Sequence, residues 1–132
     1  MVLRLGRQKH LAKFLPRYAL LHHTDAPDDP QGSHIDLLLE DGESCRSWRL
    51  ASLPQLDQPA QDAIRLPAHR LIWLEPRRAA VSGGRGWAER IRAGFYDGDL
   101  PDDSASAVDV RLSGDLQGRL QLGDGSCRLS KA

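Results

Sequence analysis

The chain has 132 residues, with 18 Lys and Arg against 18 Asp and Glu and a 40% apolar content. That length suits a single domain over residues 1–132, large enough to bury a core without disulfide or metal staples. Zero net charge excludes a strongly basic, histone-type binder but not a local basic groove, and the ordinary apolar content excludes broad disorder.

Residues 1–17 carry Arg4, Arg7, Lys9, Lys13 and Arg17 with no acid. Leu11, Phe14 and Leu15 recur at helical spacing and Pro16 ends the run, which predicts a short N-terminal helix. A basic arm that touches phosphates is the other reading of the same segment. No apolar run is long enough to cross a membrane, and none resembles a signal peptide. Cys45 and Cys127 are too few for a disulfide scaffold and lack CxxC spacing. Free thiols in a cytoplasmic protein are expected, with one disulfide left open if folding brings the two together.

Residues 18–21 predict a strand that leads into His22 and His23, followed by a loop rich in Asp, Pro and Gly. Residues 33–40 alternate, with Ile35, Leu37 and Leu39 on one face of a predicted strand and His34, Asp36, Leu38 and Glu40 on the other. Asp41-Gly42 is a turn signal, so residues 45–50 are a plausible hairpin partner. Residues 51–63 read as loop, residues 71–74 as a short strand and residues 82–86 (Ser-Gly-Gly-Arg-Gly) as a turn. Residues 87–96 fit a helix through Trp87, Ile91 and Phe95 and fit a strand at their end. Residues 101–106 form an acidic loop; residues 108–112, 119–122 and 126–129 are short strands separated by Gly-Asp turns. The fold class predicted is therefore mostly β, a compact β-barrel with a short N-terminal helix.

His34 and Asp36, two apart on a strand, leave the same face and are close enough to share one cation. An imidazole with a carboxylate suits a first-row divalent metal, and His23 across the loop is a third ligand. His69 is a candidate fourth imidazole or a loop histidine bonded to backbone. The plain alternative for His34 and Asp36 is a surface strand with two polar residues. No Gly-x-Ser-x-Gly or reactive cysteine marks a nucleophile, and the 82–86 turn lacks the Lys-Ser/Thr of a P-loop. Trp48, Trp73 and Trp87 each flank a predicted strand and are expected to fill core; an exposed one is a candidate for base stacking.

Taken in order, Tyr18 to His23, His34-Ile35-Asp36-Leu37-Leu38-Leu39-Glu40, Ser47-Trp48, His69-Arg70-Leu71, the 82–86 turn and Ala93 to Tyr96 resemble the 3′-phosphoesterase domain of bacterial DNA ligase D and its small stand-alone relatives. The resemblance covers residues 17–97. It implies a β-barrel with a polar groove, Mn²⁺ or another divalent metal held by His23, His34 and Asp36, and a phosphate contact from His69. It implies a metal-dependent phosphoesterase (a hydrolase of DNA repair) that removes 3′-phosphates or 3′-ribonucleotides from DNA or RNA ends. The 3′-hydroxyl left behind would serve a repair ligase or polymerase. A monomer with no membrane partner is expected.

The chain departs from that pattern. Leu38 stands where the family carries an Arg, Trp73 where it often carries a Tyr, and Ala51-Ser52-Leu53 where it has Pro-Lys-Gly. The loop before His34 is longer and acidic, with Asp25, Asp28 and Asp29. Losing an Arg removes a charge-assisted phosphate contact, for which Arg65, Arg70 and Arg85 are the candidate replacements. The alternative function is a catalytically weak or inactive nucleic-acid or protein-binding module on the same barrel. A third reading is a β domain whose histidines are merely solvated.

Overall fold

A computed structural model describes residues 15–131. The expected N-terminal helix lies outside them, apart from its last residues, and Arg17 is already in a strand. The described residues form β1 (Arg17–Thr24), β2 (Ser33–Asp41), β3 (Ser44–Leu50), β4 (Gln61–Arg70), β5 (Arg78–Ala80), β6 (Trp87–Asp97), β7 (Val108–Gly114), β8 (Gly118–Gly123) and β9 (Ser126–Ser130). The helical element among them is a 3-10 turn, Leu71–Leu74. None of their helices is long and apolar enough to cross a membrane.

The strands pair antiparallel in the order β1-β2-β3-β4-β9-β8-β7-β6, and β6 returns to β1. The sheet is therefore a closed eight-stranded barrel, and β5 adds a short strand on β6. Closure removes the long unpaired edges that an open sheet would expose.

Alternation along β2 sorts its side chains into two layers. Ile35, Leu37 and Leu39 join Tyr18, Leu20, Trp48 and Leu50 with residues of β7, β8 and β9 in the barrel interior. Each leucine buried there contributes about 1.5–3 kcal/mol of apolar burial. The buried tyrosines are satisfied: Tyr18 Oη donates to the carbonyl of Leu116, and Tyr96 Oη donates to that of Glu40. Ala19, Leu21, Leu38, Cys45 and Ala88 form a second apolar layer on the outer face, under Trp73 and Leu74 of the 3-10 turn. Cys45 and Cys127 are both free and buried, and burial pushes each thiol up to about 12. Trp48 and Trp73 fill core as expected, whereas Trp87 stands half exposed.

Two segments differ from the sequence reading, and a third, open between helix and strand, is a strand. Residues 61–63, expected as loop, begin β4, a mostly exposed strand of mixed polar and apolar residues that gives no apolar alternation. Residues 71–74 turn back as the 3-10 element rather than extend, because a four-residue apolar run carries no period of its own. Residues 87–96 fall in a strand, β6, long enough to pair with β1, β5 and β7.

Candidate metal centre

The loop between β1 and β2 places His23 and His34 directly opposite each other, and Asp36 follows on the same face of β2. The imidazole centroids are 4.6 Å apart. One ligand atom from each of His23, His34 and Asp36 lies within 4.8 Å of the others. All three residues are buried, in the outer layer of the barrel beyond Leu21 and Leu38.

Oxygen acceptors place a proton on the remote nitrogen of each ring. His34 Nδ1 donates to Asp29 Oδ2 at 2.8 Å, which turns Nε2 toward Asp36 Oδ1, 2.9 Å away. That approach fails hydrogen-bond geometry, and both atoms are buried without a partner. His23 Nε2 lies 2.6 Å from the Arg85 carbonyl, which can only accept, so Nε2 carries the proton. His23 Nδ1 then faces Asp36 Oδ2 at 3.0 Å. Two imidazole nitrogens thus converge on one carboxylate. A proton on a ring or a cation between the groups offsets the carboxylate charge.

The electrostatics agree. The hydrogen bond to Asp36 raises the His23 imidazole above its ordinary 6.5, against burial. Burial opposes ionisation of Asp36, yet the hydrogen bond with His23 and the nearby imidazoles of His34 and His69 outweigh it and hold the carboxyl far below the usual range. The bond from His34 holds Asp29 below that range as well, against desolvation and with help from the Gln31 N–H. Remote nitrogens bonded to a carboxylate and a carbonyl, with the near nitrogens turned toward one point, are the pattern that orients metal-ligating histidines. The residues present therefore fit a divalent cation with a nitrogen, nitrogen and oxygen donor set.

His69 reaches this face through a bulge. The β3–β4 register jumps from Ser47↔Leu66 to Cys45↔His69, which accommodates Pro67, a residue with no N–H for the ladder. The extra residue shifts the alternation and puts His69 rather than Ala68 opposite Cys45. His69 Nε2 lies 3.6 Å from Asp36 Oδ2, too far for a direct hydrogen bond, and Nδ1 is buried without a partner.

These four residues share a groove of about 740 Å³. Arg70 and Arg85, expected at phosphate, line it. Arg65 does not. It pairs with Trp48 on the opposite face of β4 and stacks on that indole, 4.7 Å from the ring centroid. Leu38, at the position of the family Arg, is fully buried in the outer apolar layer. Two other arginines line the groove, Arg49 on β3 and Arg77 after the 3-10 turn. Arg49 was within reach of the sequence: a two-residue turn at positions 42 and 43 pairs Asp36 with Arg49. Arg77, stacked on Trp73 with its guanidinium carbon 4.8 Å from the ring centroid, carried no such signal.

The fold and this cluster define a closed antiparallel β-barrel with a buried two-histidine, one-aspartate set on its outer face. Compared with protein-family models and with curated proteins, the chain matches none.

Proposed function

We propose that the chain is a metal-dependent phosphoesterase that processes 3′ ends of DNA or RNA, removing a 3′-phosphate or a 3′-terminal ribonucleotide. The observation that carries this reading is the convergence of His23 Nδ1 and His34 Nε2 on the two oxygens of Asp36, at 3.0 and 2.9 Å, on a groove lined by arginines. His23, His34 and Asp36 would hold Mn²⁺ or another first-row divalent ion. The chemistry such an ion supplies is Lewis-acid polarisation of a phosphoryl oxygen.

The chain's own residues do the rest. Asp29 and the Arg85 carbonyl hold the two imidazoles in one tautomer and orientation. His69, fixed by the Pro67 bulge, hydrogen-bonds the phosphate or protonates the leaving oxygen. Arg70 and Arg85 neutralise charge that builds on the phosphoryl group. On this reading the chain acts as a cytoplasmic monomer in DNA repair and leaves a 3′-hydroxyl for a ligase or polymerase.

Zero net charge favours the second reading, a binding module on the same groove without turnover. A 3′-phosphorylated primer-template incubated with the protein and Mn²⁺ separates the two. Release of phosphate that disappears in Asp36→Ala supports the enzyme. No release at high protein concentration, beside an active control phosphatase, leaves the binding module.

A further inference from the structure

Arg49 stands opposite Asp36 in the β2–β3 pair, in the wall of the groove. Its side chain is largely buried, at 22% exposure, and its Nε–H is buried without an acceptor. Its Nη2 reaches both oxygens of Asp28, but only at 3.3 and 3.4 Å. Charge-assisted pairs usually close to about 2.7–2.9 Å. Other arginines of this chain achieve that: Arg46 meets Asp41 at 2.8 Å. Asp28 is 74% exposed and also lines the groove. Its neighbour Asp29, by contrast, is locked by His34 and the Gln31 N–H.

We infer that Arg49 is the principal anion-binding side chain of this groove and that Asp28 is its displaceable internal counter-ion, so that an incoming phosphate exchanges with a carboxylate of the protein's own loop. The identity of the anion rests on the phosphoesterase reading; the exchange itself rests on Arg49 and Asp28 alone. A guanidinium holds its donors in a planar fork, and one of them here is desolvated and unpaired. A tetrahedral oxyanion in the groove replaces the long, solvent-screened contact at Nη2 with a short one. Asp28 makes the groove selective, because a weakly charged ligand does not displace it.

The test is equilibrium binding of a short 3′-phosphorylated oligodeoxynucleotide and its 3′-hydroxyl twin, in EDTA so that nothing is turned over. Wild type binds the phosphorylated probe more tightly. Arg49→Ala loses about tenfold or more of that preference, and Arg49→Lys falls between, since an ammonium lacks the fork. Asp28→Asn, an exposed change that leaves the fold intact by circular dichroism, tightens binding about two- to fivefold. Inorganic phosphate as competitor shows whether the bare anion suffices. Displacement of the probe by inorganic phosphate in the same rank order supports recognition of the anion itself. Displacement only by phosphorylated oligonucleotide supports recognition of the anion as part of a polynucleotide end. Equal binding by wild type and Arg49→Ala, no tightening in Asp28→Asn, or no preference for the 3′-phosphate in wild type overturns the assignment. If binding follows Arg49 and Asp28 but Mn²⁺ releases no phosphate, the hydrolase reading falls and this assignment stands.

Discussion

His34 donates its Nδ1 proton to Asp29 at 2.8 Å, and that one bond turns Nε2 onto Asp36. The acidic loop before β2 is therefore part of the cluster rather than a screen in front of it. Asp29→Ala frees the imidazole to rotate and to take the other tautomer. Partners of metal-bound histidines typically carry about 10- to 100-fold in affinity. Titration calorimetry with Mn²⁺ should show a loss of that size, and an unchanged affinity would remove Asp29 from the site.

His69 separates metal holding from chemistry. It lies 3.6 Å from Asp36 and outside the three-residue ligand set. His69→Ala is expected to keep Mn²⁺ affinity within about twofold while phosphate release falls about 10²-fold or more. A large loss of Mn²⁺ affinity would instead make His69 a fourth ligand.

Gly86 holds the backbone that meets His23. Its φ is +87°, and an added Cβ would lie 2.0 Å from the Thr24 carbonyl oxygen. Gly86→Ala must move the chain next to the Arg85 carbonyl that accepts from His23 Nε2. A cost of about 1–3 kcal/mol in stability and weaker Mn²⁺ binding are expected together, by thermal melts and calorimetry. Loss of stability with intact binding would separate the turn from the site.

Glu40 ties the outer end of β2 to Arg17, accepting from both its side chain and its backbone N–H. Burial opposes its ionisation, but these bonds win and hold its pKa below the ordinary 4.5. A carboxyl depressed in the folded state contributes stability above its unfolded value and loses it as pH falls through the folded one. Glu40→Gln should cost about 1 kcal/mol at neutral pH, the pair being partly exposed. The gap to wild type should close as the solution is acidified below about pH 4.5. A gap independent of pH, measured by urea unfolding, would contradict the assignment.

Legibility in the sequence followed the physics of each segment. Ile35, Leu37 and Leu39 alternate cleanly because β2 has an apolar side toward the interior, and the same alternation put His34 and Asp36 together. β4 is hidden because it is mostly exposed, its apolar residues do not alternate, and Pro67 sits in its bulge. That bulge also decides where His69 points, which no spacing rule could supply. Arg65 is one of three arginines that the sequence offers as replacements at phosphate without placing them, and pairing with Trp48 turns it to the other face. Asp29 reads as a loop residue until the loop folds back on His34.

Binding of Mn²⁺ to the purified chain near neutral pH, followed by calorimetry or by loss of the free-ion paramagnetic resonance signal, tests the cluster most directly. The account predicts a single site per chain, abolished in Asp36→Asn and in His34→Gln while circular dichroism shows the barrel still folded. No binding by wild type, or equal binding by wild type and both variants, would contradict it.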